Sequence, residues 1–198
     1  MHIAKSYITQ SAQELIASSP LAASAYREIE LSINNMIGFI NNSTKNCNGV
    51  VPVKEGCYQL LEEKYDWYRE KPLATFSEKG GPIDVYKEFS DNYSVLRVGL
   101  EFETGNISSA HRSMNKLALG VANNDIDLAV LMMPIHDLSY YLTDRVSNYE
   151  ELQPYYPLVD QYPFIFLGFD AENYGNDYPI LAKGKDGMSN RAIHKWKN

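Results

Sequence analysis

Two glutamates separated by a single residue are the part of this sequence best suited to chemistry. Glu101 and Glu103 close the segment 95–103, in which apolar residues occupy every second position, a period that predicts a β-strand with one buried face. Residues two apart on a strand project from the same face, so the two carboxylates are expected roughly 7 Å apart. Carboxylates arranged in this way suit Mg²⁺, which takes one or two of them together with water and phosphate.

A Glu-x-Glu pair is weak evidence by itself, because glutamates on the open face of a strand are usually only solvated. Three neighbouring features favour phosphoryl chemistry. Asp84 follows a Gly-Gly-Pro turn and is far enough upstream to lie on an adjoining strand of a hairpin. Gly105 leads into a predicted helix whose N-terminus can face a phosphate. Arg112 falls in the first turn of that helix, where the dipole disfavours a cation unless an anion lies nearby.

The predicted elements alternate between strands and helices, which indicates an α/β fold. Strands are predicted over Val95–Glu103, Ile126–Met133 and Pro163–Phe169. Helices are predicted from a capping box at Ser11–Glu14, from Pro20, from about Pro52 to near Glu70, from a cap at Ser108 or Ser109, over Asp137–Leu142, and from a second capping box at Asn148.

Length and composition favour one domain. The chain has 198 residues, of which 44% are apolar and 22% charged, and it has neither an apolar run long enough to span a membrane nor an apolar signal core. Cys47 and Cys57 are the only cysteines, which fits a reduced cytoplasmic protein.

The charge distribution leaves two interpretations open. The net charge of −7 argues against a nucleic-acid-binding protein, which is usually basic. Residues 183–198, however, carry four Lys and one Arg against one Asp, a net charge of +4, which leaves −11 on the rest of the chain. This short basic C-terminal tail is either a local basic surface for DNA or a solvated segment without that role.

Over nearly its whole length the sequence resembles the BamHI-like type II restriction endonucleases, including those of the OkrAI kind. The resemblance is carried by the segments Lys45–Pro52, Trp67–Leu73, Gly80–Phe89, Glu101–Leu117, Tyr140–Val146 and Asp186–Ser189. It implies a central mixed β-sheet flanked by helices, of the PD-(D/E)xK nuclease kind. In that superfamily the last position of the motif is usually Lys, whereas this sequence has Glu103.

The resemblance also implies a catalytic site built from four carboxylates. Asp84, Glu101 and Glu70 are expected to bind Mg²⁺, with the carbonyl of Phe102 assisting, and Glu103 is expected to be the general base. The implied reaction is hydrolysis of double-stranded DNA, which leaves a 5′ phosphate and a 3′ hydroxyl.

The implied recognition site reads the palindrome GGATCC. The residues expected to bind DNA are Asn106, Ser108, Arg112, Asp144 and Arg145. A palindrome requires a two-fold homodimer, and the helices from Ser109 and Asn148 are the implied dimer surface. Their apolar faces, formed by Met114, Leu117, Val121, Tyr149 and Leu152, are either that interface or ordinary core. A cognate DNA methyltransferase is the expected companion in the bacterial host, without direct contact.

Two other classes of protein compete with this interpretation. A sequence-specific DNA-binding protein without cleavage has no reason to keep three carboxylates, those of Asp84, Glu101 and Glu103, near DNA. A metal-dependent phosphatase acting on small molecules has no use for the pair Asp144 and Arg145, which suits a G·C base pair.

Overall fold

The computed structural model describes residues 1–75, 81–143 and 145–183 and contains eight strands in these ranges. The strands are β1 (His2–Ile8), β2 (Phe39–Asn41), β3 (Tyr68–Lys71), β4 (Ile83–Ser90), β5 (Val95–Phe102), β6 (Leu128–Pro134), β7 (Phe164–Asp170) and β8 (Asn173–Gly175). Six of them form one sheet in the order β1-β7-β6-β5-β4-β3, and β2 pairs with β8 separately.

The main sheet is mixed, because its middle is parallel and its two sides are antiparallel. Strand β6 pairs in parallel with both β5 and β7, and all seven residues of β6 are buried. A strand covered on both faces in this way is typical of α/β proteins, in which helices pack on either side of the sheet. Strands β1, β4 and β3 complete the sheet through antiparallel pairing.

Helices accompany the sheet along the chain, so the expected α/β class with a mixed central sheet is confirmed. They are α1 (Gln10–Ser18), α2 (Pro20–Asn34), α3 (Val50–Tyr65), α4 (Ile107–Ala122), α5 (His136–Ser139) and α6 (Tyr149–Leu152), which continues as a 3₁₀ helix over Gln153–Val159. Pro20 begins α2 and Asn148 caps α6, as predicted. None of the described helices is long and apolar enough to cross a membrane.

Three predicted helix ends were wrong. Thr9, not Ser11, caps α1, because its side chain accepts from the amide of Ala12. Asn106, not Ser108 or Ser109, caps α4 through the amide of Ser109. The helix expected to reach Glu70 ends five residues earlier, where Asp66 adopts a left-handed φ of 55° and turns the chain into β3.

Strand β1 was not predicted at all, and the single-domain assignment with a basic C-terminal tail stays a prediction. Residues 184–198 of that tail lie outside the described residues.

Candidate active site

The predicted hairpin brings Asp84 and Glu101 face to face. Strands β4 and β5 are antiparallel with Val85 opposite Leu100, so the next pair along the ladder is Asp84 and Glu101. Directly opposite residues of an antiparallel pair project from the same face of the sheet, with Cβ atoms about 5 Å apart. The two carboxylates therefore share one end of one face.

Glu70 lies beside this pair on a strand, not at the end of a helix as the sequence analysis expected. The β3–β4 register places Arg69 opposite Val85 and Lys71 opposite Ile83, so Glu70 is level with Asp84. The ladder thus aligns three carboxylate positions across neighbouring strands. Glu70 has a left-handed φ of 54°, a conformation that non-glycine residues rarely adopt outside constrained sites.

The Asp84 carboxylate is fixed by two donors. Its Oδ2 accepts hydrogen bonds from the Tyr58 hydroxyl and the Phe102 amide, each at 3.0 Å. Burial, followed by the nearby negative charge of Asp84, raises the pKa of Tyr58 well above its usual range, so the phenol stays protonated and keeps donating. Helix α3 thereby orients a carboxylate on the sheet.

Glu101 is a buried acid in contact with a cation. It is only 4% exposed, and its Oε1 forms an ion pair with Lys116 Nζ, which also donates to the Pro82 carbonyl at 2.7 Å. Despite this contact, Oε1 lacks a hydrogen bond of acceptable geometry among the described residues. Burial, with the Asp84 carboxylate as the second cause, raises the pKa of Glu101 to about 8, and Lys116 only partly opposes that shift.

Glu103 lies one residue beyond β5 and both of its carboxylate oxygens have donors. Its amide still bonds to the Met132 carbonyl at 2.8 Å, which continues the ladder. Oε1 accepts from the Gly105 amide at 2.5 Å, and Oε2 accepts from the Ser113 hydroxyl at 2.9 Å. Glu101 and Glu103 are therefore both buried, and the alternative of two merely solvated glutamates is wrong.

The donor set suits a hard divalent cation. Asp84 and Glu101 supply facing carboxylates, and the buried Oε1 of Glu101 pairs with the Lys116 ammonium, which shows that this position attracts a cation. Within residues 1–75, 81–143 and 145–183 no three His, Cys, Asp or Glu side chains converge closely enough to hold a metal. The arrangement therefore fits Mg²⁺ bound by two carboxylates plus substrate phosphate and water.

The residues expected to contact DNA lie on two segments that the backbone joins. Asn106 and Ser108 are exposed at the start of α4, and Arg145 is exposed with a left-handed φ of 66°. Arg112 is exposed in the second turn of α4, so its expected place in the first turn was wrong, because the helix begins at Ile107. The Ser147 amide donates to the Gly105 carbonyl at 2.7 Å, which fastens the Arg145 segment to the loop before α4. Asp144 lies outside the described residues.

Comparison with known proteins decides the family. A family model described as "Restriction endonuclease BamHI" matches residues 1–188. This chain belongs to the BamHI family of restriction endonucleases.

Individual proteins agree with this assignment. The chain is 56% identical to the type II restriction enzyme BamHI of Bacillus amyloliquefaciens, over all of this chain and 98% of that enzyme. It is 34% identical to the type II restriction enzyme OkrAI of Oceanobacter kriegii, over 77% of this chain and 79% of that enzyme. The expected enzyme class, a type II site-specific deoxyribonuclease, is thereby confirmed.

The fold has a solved counterpart in the crystal structure of restriction endonuclease BglII complexed with a DNA 16-mer. It aligns with a TM-score of 0.65 at 14% identity and covers 86% of this chain and 78% of that one. The restriction-endonuclease-like fold expected from the sequence is confirmed on this ground.

Sequence reasoning missed the side chains that hold the carboxylates, namely Tyr58, Ser113 and Lys116. Ser113 and Lys116 lie three apart on α4, a spacing that places them on one face of a helix. A polar pair on the buried face of an amphipathic helix was the available signal.

The raised pKa of Glu101 predicts that the metal-free protein loses stability as the pH rises. The Glu101 carboxyl has an ordinary pKa of 4.5 in the unfolded chain and a pKa of about 8 when folded, so the folded state holds an extra proton between these values. Protonated Glu101 contributes its full share of the free energy of unfolding below pH 4.5, and this contribution is lost as the pH rises through about 8. The loss is on the order of 3–5 kcal/mol. Glu101→Gln cannot ionise and should be more stable than the parent protein above pH 8.

Urea unfolding in EDTA across this pH range measures the difference. Glu63→Gln is the matched control, because Glu63 is exposed and, among the described residues, its side chain bonds to Gln59 on its own helix. Equal pH profiles for the parent protein and Glu101→Gln would contradict the raised pKa.

Proposed function

We propose that this chain is a Mg²⁺-dependent restriction endonuclease that hydrolyses double-stranded DNA at GGATCC and leaves 5′-phosphate and 3′-hydroxyl ends. The supporting observation is the facing pair Asp84 and Glu101, in a chain that is 56% identical to BamHI. In a bacterial cell the enzyme would act on DNA in the cytoplasm, with a cognate methyltransferase protecting the host sites.

The carboxylates of the site have two different roles in the proposed hydrolysis, metal binding and proton transfer. Asp84 and Glu101 would hold the metal as facing carboxylates, with the Phe102 carbonyl as a further ligand. Glu70, level with Asp84 on β3, would join them only on metal binding, because the three carboxylates do not converge in the structure. Held by these residues, Mg²⁺ would neutralise charge on the phosphate and would stabilise the leaving 3′ oxygen. Tyr58 keeps Asp84 oriented toward that position through its 3.0 Å hydrogen bond.

Glu103 is suited to the role of general base. Its two oxygens are held by the Gly105 amide and the Ser113 hydroxyl, so the carboxylate has a defined orientation on the same side as Glu101. From there it takes the proton of the attacking water, directly or through a second water molecule.

Sequence recognition is assigned to the five DNA-binding residues of the sequence analysis. Arg145 can bind guanine O6 and N7 bidentately, and Asp144 can accept from cytosine N4. Asn106, Ser108 and Arg112 would face the DNA from the N-terminus of α4, which is open to solvent.

Cleavage of both strands requires a homodimer. Each subunit carries one catalytic cluster, formed by Asp84, Glu101 and Glu103, and one recognition turn, the turn around Arg145. Of the apolar residues expected to form either the dimer face or ordinary core, Met114, Leu117, Tyr149 and Leu152 are buried within the single subunit, as core residues are, and Val121 is half-buried. Leu119 on α4 and Tyr155 and Leu158 on the 3₁₀ helix are exposed instead. We place the interface on these exposed side chains of α4 and the 3₁₀ helix.

Digestion of plasmid DNA with and without Mg²⁺ tests the proposed function. We expect linear DNA from a plasmid with one GGATCC site, only when Mg²⁺ is present. Site-specific binding without any cleavage would favour a DNA-binding protein, and hydrolysis of a small phosphate ester with intact DNA would favour a phosphatase.

Arg145→Ala should weaken binding to GGATCC far more than binding to random DNA. Losing a bidentate contact to guanine costs about 1–3 kcal/mol of discrimination, whereas losing a phosphate contact lowers both affinities equally. Fluorescence anisotropy on the two DNAs at one salt concentration separates these cases, with Arg27→Ala on the remote helix α2 as the control. An equal loss on both DNAs would assign Arg145 to the phosphate backbone.

A further inference from the structure

We propose that Gly105 is a positioning residue that links the recognition turn around Arg145 to the general base Glu103, so that correct DNA contact and catalytic geometry depend on each other. The inference rests on the proposed function, since it takes Glu103 as the base and Arg145 as a base-reading residue. It goes beyond the contact of the Gly105 amide with Glu103 described above, because it adds the contact of the Gly105 carbonyl with Ser147.

Gly105 is bonded on both sides of its backbone. Its amide donates to Glu103 Oε1 at 2.5 Å, and its carbonyl accepts from the Ser147 amide at 2.7 Å. Ser147 is two residues from Arg145 along the chain. One residue therefore connects the catalytic carboxylate to the recognition turn through two short hydrogen bonds.

The Ser147 end of this link is held rigidly. Ser147 is 1% exposed, and its hydroxyl has no hydrogen-bond partner among the described residues, so its backbone amide is the group that ties it to Gly105. Asn148, the next residue, caps α6 by accepting from the Glu151 amide. A displacement of the Arg145 turn should therefore also displace Gly105, because the Ser147 backbone amide joins the two directly.

The other oxygen of Glu103 is anchored elsewhere, on the buried hydroxyl of Ser113 in α4. With Oε2 fixed there, the orientation of the carboxylate depends on where the Gly105 amide holds Oε1. A displacement of Gly105 therefore turns Glu103 about its anchored oxygen, away from the attacking water.

Position 105 favours glycine because there is little room for a side chain there, and not because of its backbone conformation. Among the described residues Gly81 is the glycine with a positive φ, so Gly105 has a backbone that alanine can adopt. A Cβ there would nevertheless come within 2.7 Å of Glu103 Oε1 and 3.2 Å of Ser109 Cβ. These neighbours are side-chain atoms, and the nearest is the end of a flexible carboxylate, so Gly105→Ala should fold and displace Glu103.

Gly105→Ala should slow single-turnover cleavage by about 100-fold, the loss expected for a displacement of about 1 Å at a reacting group. Its affinity for GGATCC in the absence of Mg²⁺ should also fall, because the coupling is reciprocal and the Gly105 carbonyl holds the Arg145 turn through the Ser147 amide. Gly38→Ala is the matched control, since its Cβ would likewise press on a flexible carboxylate, Glu172 Oε2 at 3.1 Å, which is not one of the proposed catalytic carboxylates. Parent-like cleavage by Gly105→Ala would overturn the positioning role.

The connection between the Arg145 turn and Glu103 is tested in proteins that keep Gly105. In the parent protein bound to GGATCC, hydrogen exchange at the Gly105 amide should be slow, and in Arg145→Ala on the same DNA it should be faster. The cleavage rates of Arg145→Ala, Gly105→Ala and the double variant should be non-additive, because the two residues act through one path. Unchanged exchange together with additive rates would overturn the coupling, whereas a parent protein that fails to cut plasmid DNA would overturn the proposed function instead.

Discussion

Replacing Glu101 by alanine should abolish cleavage at GGATCC while leaving specific binding unchanged or tighter. The substitution removes a carboxylate that would hold Mg²⁺, and with it several kcal/mol of transition-state stabilisation, which corresponds to a rate loss of about 1000-fold or more. In EDTA at a pH above about 8, where Glu101 is ionised, binding responds in the opposite direction, because Asp84 and Glu101 then repel the phosphate of the DNA. Alanine also frees Lys116, whose ammonium is paired with Glu101, to attract that phosphate.

Two measurements are needed to observe both effects, namely plasmid cleavage with Mg²⁺ and anisotropy on a GGATCC duplex in EDTA. Glu88→Ala is the matched control, since Glu88 is an exposed carboxylate on the same hairpin, at the end away from Asp84. Normal cleavage by Glu101→Ala would refute the metal-ligand role. Loss of binding together with cleavage would instead indicate that Glu101 is needed for the structure of the site.

The sequence predicted the central hairpin well because its signals are local. Alternating apolar residues define β5, and a Gly-Gly-Pro turn precedes the strand that carries Asp84. Those two features sufficed to place Asp84 and Glu101 on adjoining strands, as the register confirms.

Helix ends were less predictable because several residues nearby are chemically able to cap. Thr9 and Ser11 can both accept from a backbone amide, as can Asn106 and Ser109, and the choice between them depends on how the chain enters the helix. The end of α3 depends on the left-handed conformation of Asp66, which no apolar period encodes.

Strand β1 was missed for a different reason. It lies at the edge of the sheet, pairs only with β7, and has no fully buried residue. An edge strand of this kind lacks the apolar alternation by which strands are recognised.

The contacts that orient the carboxylates and shift the pKa of Glu101 could not be predicted from the sequence, because they join segments that are distant along the chain. Tyr58 reaches Asp84 from α3, and Lys116 reaches Glu101 from α4. Only the folded sheet brings these residues together, so neither the burial of Glu101 nor its pKa of about 8 was predictable.

Two leucines of α4, separated by one residue, should respond to aspartate in different ways. Leu117 is fully buried in the core of the subunit, whereas Leu119 is 48% exposed. A charge at Leu117 would have no partner there and should destabilise the fold by several kcal/mol, on the order of 3–5. A charge at Leu119 remains in water in a single subunit and should leave the fold intact.

The dimer proposal predicts that Leu119→Asp nevertheless loses double-strand cleavage. Leu119 is exposed on α4, and Tyr155 and Leu158 are exposed on the 3₁₀ helix. The ring centroids of Tyr155 and His111 of α4 are 4.3 Å apart, so the two elements pack side by side. Burying an aspartate in an apolar interface across the two-fold axis would disfavour association.

Sedimentation and plasmid cleavage together test this prediction. We expect the parent protein to sediment as a dimer and Leu119→Asp as a folded monomer that nicks weakly or not at all, while Leu117→Asp shows a lowered unfolding midpoint. A parent protein that is monomeric at micromolar concentration and still cuts both strands in one binding event would contradict the dimer. A dimeric, fully active Leu119→Asp would keep the dimer but remove α4 from its interface, because an unpaired charge cannot be buried there without a cost in free energy.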